Sequence, residues 1–327
     1  MKGYGEVFNY ISGETIPMVA FIGVMFAFLA TCFFIGKFNQ FLPKDIGRDY
    51  AHDGKLSAGK PRGAGFIFIL VFVGSTLLFA KLDVEVVIYV ILIFAAMMTG
   101  FLDDASKAPW GEYKKGLLDL LIAIVVALAY LKYNTNTILI AMTGTTITIP
   151  TVLFGILVVI LVWTAINVTN CADGVDGLSG TLTIITLMSI YIANILLGVV
   201  DEHNYIILLF VVCILGYLWF NATPSKLLMG DAGSRAMGLF IAISILKTGS
   251  PLLYLLLSIV LLLDGGLGLV KVFLLRFLKI HILKNVRTPL HDQVRKVMGW
   301  SNTQTVFRFG IIQIVVSLAT LYAIYLL

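Results

Sequence analysis

Long apolar runs, each closed by a short polar or glycine-containing stretch, set the pattern of this chain. Ten of them predict spans, at roughly 16–36, 64–80, 84–102, 116–133, 149–166, 178–199, 205–220, 236–247, 251–273 and 306–327. Several reach the roughly 20 residues that a helix needs to cross a hydrocarbon core. The runs are continuously apolar, not alternating, which predicts helices and argues against a β-barrel. Gly249-Ser250-Pro251 reads as a tight turn between the eighth and ninth runs, and residues 200–204 as a short polar turn. The β-branched stretch from Thr143 to Pro150 is suited to a small hairpin. No internal repeat or linker interrupts the pattern. The expected fold is therefore an all-α polytopic membrane protein with a single domain over residues 1–327.

Composition sharpens that picture. Only 13% of the 327 residues are charged, against about 25% in soluble domains. The first apolar run is long enough to span and follows a polar start, so no cleaved signal peptide is expected. Cys32, Cys171 and Cys213 are scattered and odd in number, which indicates no disulfide framework. Lys and Arg are distributed unevenly, and that asymmetry predicts orientation. With both termini outside, only Lys2, Lys81, Lys132 and Lys247 of the 23 basic residues fall outside. A basic inner face at the level of anionic headgroups accounts for the net charge of +5 without a nucleic-acid partner.

Three acidic clusters end apolar runs on that predicted inner face. Asp103 and Asp104 close the third span, with Lys107 one turn on. Neighbouring carboxylates repel unless a cation or proton relieves them; a solvated helix end is the plainer reading. Asn167, Asn170, Asp173 and Asp176 recur every third residue with Gly174, Gly177 and Gly180 between them. Those glycines predict a broken helix whose backbone approaches a ligand, although a simple turn would use the same residues. An EF-hand is excluded because no Glu follows at the twelfth position. Asp231 lies in Met229-Gly-Asp-Ala-Gly-Ser234, ten residues after Asn221, and could equally be a helix cap. His291 sits in a basic loop with Arg287, Arg295 and Lys296, where a surface histidine is the ordinary expectation. Asp264 interrupts the ninth span beside Gly265 and Gly266, predicting a kink there with the carboxylate facing protein. Ionisable residues at a span's rim usually mark a working site, and gathered carboxylates suit a hard cation that bridges phosphates.

Taken together, these motifs are similar to those of the polyprenyl-phosphate N-acetylhexosamine-1-phosphate transferase superfamily. The resemblance rests on an Asp-Asp pair followed by Lys, Asn-x-x-Asn-x-x-Asp-Gly-x-Asp-Gly, and Met-Gly-Asp-x-Gly-Ser, in that order. The stretches Arg287-Thr-Pro-Leu-His291 and Gly299-Trp-Ser-Asn-Thr-Gln304 resemble the phospho-N-acetylmuramoyl-pentapeptide transferase branch. Two departures stand out. That branch carries three consecutive His where this chain has His291, Asp292 and Gln293. Its Gly-Thr-Pro-Thr-Met-Gly-Gly loop is here Gly59-Lys-Pro-Arg-Gly-Ala-Gly65, with Lys60 and Arg62 in place of threonines and Lys55 nearest to the preceding lysine.

The resemblance implies a bacterial inner-membrane enzyme with its active site facing the cytoplasm. It implies Mg2+-dependent transfer of phospho-N-acetylmuramoyl-pentapeptide from UDP to undecaprenyl phosphate, in peptidoglycan synthesis. Asp231 would be the main Mg2+ ligand, and Asp103 or Asp104 would orient or deprotonate the lipid phosphate, the other helping with the metal. Direct transfer and an aspartyl-phosphate route both stay open. Lys107 and Lys115 (or Lys114) would balance phosphate charge. Asn167, Asn170, Asp173, Asp176 and Asn221 would line the uridine and pyrophosphate pocket, with His291 and Arg287 at the phosphates or sugar. The lipid tail would lie between spans, where the ninth bends. The family is often dimeric, which leaves a homodimer open. The rival enzyme reading is the sister branch that transfers N-acetylglucosamine-1-phosphate; the rival of another class is a secondary transporter.

Overall fold

The computed structural model describes residues 16–47, 57–106, 108, 110–199 and 202–327. Its helices follow the apolar runs: α1 (Ile16–Phe38), α2 (Gly65–Phe79), α3 (Val84–Asp104), α4 (Glu112–Tyr133), α5 (Thr151–Cys171), α6 (Leu178–Leu196), α7 (His203–Asn221) and α8 (Gly230–Lys247). A broken ninth run follows, α9a (Pro251–Leu257) and α9b (Ile259–Leu278), then a short α10 (Leu290–Lys296) and a long α11 (Asn302–Tyr325). Between α4 and α5, β1 (Thr137–Ile140) and β2 (Thr145–Thr148) pair antiparallel, with Thr137 opposite Thr148 and Ile140 opposite Thr145. A hairpin is thus present, but the β-branched stretch from Thr143 supplies only its second strand; the first lies wholly before Thr143.

Among the described residues, seven helices are long and apolar enough to cross a membrane, eight if the broken run is one span. Two of the ten expected spans fall short of that standard, for different reasons. Helix α2 is only 15 residues long. Helix α8 carries Asp231, Arg235 and Lys247, yet Gly230 to Leu246 are all buried. It packs most extensively against α3 and α5, so its neighbours are protein and not solvent or lipid. Large apolar side chains point outward elsewhere, among them Phe21 and Leu29 on α1, Ile156 and Ile160 on α5, and Ile311 and Leu318 on α11. An inside-polar helix within an outside-apolar shell is the arrangement expected of a multi-pass membrane protein.

Caps and turns fix where the helices begin. Asp83 caps α3 by accepting the Val86 N–H at 2.7 Å. Ser301 and Gln304 form a reciprocal capping box at α11. Helices α3 and α8 run in opposite directions, about 30 Å each at 1.5 Å per residue. Asp103 and Asp104 therefore meet Asp231 at one end of the bundle. At the other end Glu85 accepts from Lys247 at 3.0 Å, from Asn134 at 2.6 Å and from Tyr89 at 2.8 Å.

The ninth run bends by 71°, and the bend lies at Ser258, upstream of the expected position at Asp264. Asp264 instead sits in a π-helical stretch from Leu262 to Gly266 and is fully buried. A π-bulge admits an extra residue without ending the helix, so the carboxylate turns into the protein while the chain continues. Its facing is as expected; the place of the break is not.

Candidate active site

The carboxylates of α3 and α8 meet Asp45 at the end of the bundle where α3 stops and α8 starts. Asp103 accepts the backbone N–H of Trp110 at 2.7 Å and pairs with Lys115. Lys115, half-buried in the first turns of α4, also reaches Asp231 at 3.0 Å. One ammonium thus joins Asp103 to Asp231. Asp104 faces the other way, into the first turn of α8, where its Oδ2 accepts the Ala232 N–H at 3.2 Å. Gly230 makes that approach available: its φ of +68° suits glycine, and a Cβ there would lie 2.1 Å from Asp104 Oδ2.

Arg62 completes the group. Its Nε donates to Asp104 at 2.8 Å, Nη1 to Asp45 at 3.1 Å and Nη2 to Asp231 at 3.4 Å. Burial opposes the guanidinium's charge, but the carboxylates of Asp104, Asp231 and Asp45 hold its pKa above the ordinary arginine value. Two cations therefore offset four carboxylates, leaving a net negative centre.

The asparagine-rich stretch wraps beside this centre. Asn170 donates to Ser234 at 2.8 Å, tying the end of α5 to the first turns of α8. Asp173 accepts from Ser179 at 2.7 Å, and Asp176 accepts the Ser225 N–H at 3.1 Å. Asn221 spends its amide on backbone, accepting from Gly177 and donating to Leu227, both at 2.8 Å. Asn167 turns away, donating to Trp163 O at 2.9 Å and to Asp119 at 3.4 Å.

His291 is buried, not a surface histidine. Its N–H donates to Asp264 Oδ1 at 2.7 Å and its Nδ1 lies 2.8 Å from Asp264 Oδ2. That leaves Nε2 directed at Gly174, where a Cβ would stand 2.2 Å from it. Arg295 closes the same corner, donating to Gly174 O at 3.1 Å. The two residues standing where histidines were expected act locally: Asp292 pairs with Lys296 at 2.8 Å, and Gln293 accepts the Arg287 N–H at 2.8 Å.

Not every expected residue joins the centre. Lys107 and Lys55 lie outside the described residues. Lys114 is exposed and stacks on Trp110, 3.3 Å from the ring centroid, so Lys115 is the lysine that reaches the carboxylates. Arg287 is exposed. Conversely, Asp45, Arg62, Asp119 and Arg235 were not singled out as site residues. Arg62 had a signal, a bulky charge in a glycine-rich loop. Asp45 had none, since a single carboxylate in a polar loop carries no pattern of its own. Asp119 and Arg235 form a buried pair joining α4 to α8 beneath the centre; a charge inside each helix was the available clue.

Comparison with known proteins places this geometry. Residues 86–249, which carry all three acidic motifs, match the glycosyl transferase family 4 signature. The chain is 41% identical over 292 residues to the phospho-N-acetylmuramoyl-pentapeptide-transferase of Treponema pallidum (strain Nichols), covering 84% of this chain and 80% of that one. The chain belongs to the phospho-N-acetylmuramoyl-pentapeptide transferase family. More distant members match over nearly their whole length. The enzymes so named from Helicobacter pylori (strain ATCC 700392 / 26695) and Campylobacter curvus (strain 525.92) are each 26% identical, with 98% of this chain covered. Membership makes the chain a multi-pass membrane transferase of peptidoglycan synthesis, and it fits a site built from hard oxygen donors balanced by lysine and arginine.

Proposed function

We propose that this transferase moves phospho-N-acetylmuramoyl-pentapeptide from its UDP carrier to undecaprenyl phosphate, releasing UMP and forming the first lipid-linked intermediate. The observation that carries the reading is the convergence of Asp103 and Asp231 on Lys115, and of Asp104 and Asp231 on Arg62, at one end of the bundle. Phosphoryl transfer asks mainly for positioning and charge neutralisation, and this centre holds acids and cations for both tasks.

The donor chemistry fits Mg2+. Among the described residues no three His, Cys, Asp or Glu side chains form a closed metal cage. Mg2+ is usually held by only one or two carboxylates plus substrate phosphates, and Asp231 with Asp104 would supply those. When bound, the ion would neutralise charge on the pyrophosphate. Asp103, which shares Lys115 with Asp231, would orient the attacking lipid phosphate and accept its proton. Lys115 would exchange a carboxylate for a phosphate oxygen. Asp173 and Asp176 line the turn beside α8, and His291 Nε2 reaches the same turn at Gly174, which favours nucleotide or sugar contacts there. Asn221 serves this turn from behind, by holding its backbone.

The lipid tail fits along α9b. Val270, Phe273 and Phe277 are exposed there, and Arg276 ties the segment to Glu112 at the start of α4 at 2.9 Å. The basic-residue asymmetry supports a cytoplasmic site, where the nucleotide donor would be met.

The test is UMP release by the purified protein in detergent with undecaprenyl phosphate. Mg2+-dependent release with UDP-N-acetylmuramoyl-pentapeptide, and none with UDP-N-acetylglucosamine, is expected. Release with the second sugar alone would move the chain to the sister reaction. Asp231→Asn is expected to lower the rate about a hundred- to a thousandfold, on the scale of losing preorganised charge at a transition state, while the protein stays folded. A near-normal rate would remove Asp231 from the mechanism.

A further inference from the structure

The guanidinium of Arg62 lies between Asp104 and Asp231, the two carboxylates proposed above to hold the metal. Three of its nitrogens each meet a different carboxylate: Asp104, Asp45 and Asp231 at 2.8, 3.1 and 3.4 Å. Each carboxylate also has a partner of its own. Asp45 accepts from Ser57 at 2.7 Å and from the Gly47 N–H at 3.3 Å. Asp104 has the Ala232 N–H, and Asp231 has Lys115. Taking Arg62 away would leave all three acids in place, with Asp104 and Asp231 facing one vacated gap.

The backbone of Arg62 is anchored independently of its side chain. Its N–H donates to Pro43 O at 2.8 Å; nearby, Pro61 O accepts the Leu228 N–H at 2.8 Å and the Ala64 N–H donates to Leu228 O at 3.0 Å, just before α8. The longest of the three ion pairs is the one to Asp231. A fixed backbone and an unequal grip let the side chain give up Asp231 first.

We propose that Arg62 is a built-in counter-ion that competes with a divalent cation for Asp104 and Asp231, and that an anionic diphosphate relieves the competition by drawing the guanidinium to itself. Arginine's planar fork suits either carboxylate or phosphate oxygens. The consequence is ordered loading: metal binds poorly to the free protein and well together with the nucleotide. This rests on the assignment of Asp231 as a metal ligand.

The experiment measures Mn2+ binding to the full-length protein in detergent by electron paramagnetic resonance, alone and with UDP. Arg62→Met is expected to bind Mn2+ without UDP roughly tenfold more tightly than wild type, the equivalent of one hydrogen bond to a charged group. UDP is expected to strengthen Mn2+ binding in wild type and much less in the variant. Equal or weaker Mn2+ affinity in Arg62→Met, with binding still abolished by Asp231→Asn, overturns the counter-ion role and leaves the metal assignment standing. Binding that survives Asp231→Asn overturns both. Should Arg62→Met fail to fold, Arg62→Lys makes the same comparison, since a single ammonium cannot bridge three acids.

Discussion

Asp264 and His291 show how one buried acid positions a basic ring. Both Asp264 oxygens face His291, one on its backbone N–H and one on its ring Nδ1. The ring orientation, and with it the direction of Nε2 toward Gly174, follows from that pair. Asp264→Ala removes both acceptors in a dry environment. The expected cost is about 1–3 kcal/mol of stability, the penalty for a buried polar group left unpaired, read as a lower melting temperature. UMP release is expected to fall more than the loss of folded protein explains, whereas Asp264→Asn, which keeps one acceptor, should lose less. Unchanged turnover in Asp264→Ala would mean that Nε2 has no part in the reaction. Asn221 makes the complementary point: polar and in the right place, it nonetheless works as a brace, because its amide is satisfied by the backbone of Gly177 and Leu227.

At the scale of elements, α8 is the piece on which the site depends. A helix with Asp231, Arg235 and Lys247 would be poorly placed in lipid, and here protein surrounds it. The Asp119–Arg235 pair locks α4 against it. Arg235 is 2% exposed and its Nε and Nη1 have no other partner, so its charge depends on Asp119. Asp119→Ala is expected to cost about 3–5 kcal/mol, the usual price of stranding a buried charge. The double variant Asp119→Ala/Arg235→Leu should be less damaged than Asp119→Ala alone, because the stranded charge is gone. Thermal melting in detergent checks both. A double variant no more stable than the single would show that the pair is not what holds these helices.

For the whole molecule, the testable property is its sense in the membrane. The two ends of the α3–α8 pair are chemically unlike: carboxylates balanced by Arg62 and Lys115 at one, the Glu85–Lys247–Asn134 knot at the other. The basic loops predict that the first end faces the cytoplasm. In a background without native cysteines, Lys226→Cys should react with a membrane-impermeant thiol reagent only in inverted vesicles. Thr145→Cys, in the hairpin, should react only in right-side-out vesicles. The reverse pattern would overturn the orientation and, with it, access of a cytoplasmic nucleotide to the site.

The sequence by itself determined the helical membrane architecture, because a run of apolar residues can be solvated by lipid wherever its neighbours lie. It also marked Asp103, Asp104, Asp231, Asp173 and Asp176, since a charge at the end of such a run is costly without a purpose; His291 was legible only through its basic loop and the family resemblance. Contacts between residues far apart along the chain needed the tertiary structure. Arg62 is 169 residues from Asp231 and Lys115 is 116, and no local pattern connects them. The break at Ser258 and the bulge at Asp264 were decided likewise, because a carboxylate inside a span must turn toward whichever donor the fold supplies. Here that donor is His291, 27 residues on. Spacing along one helix is local physics and can be read from the chain; which acids share one cation depends on how the helices pack.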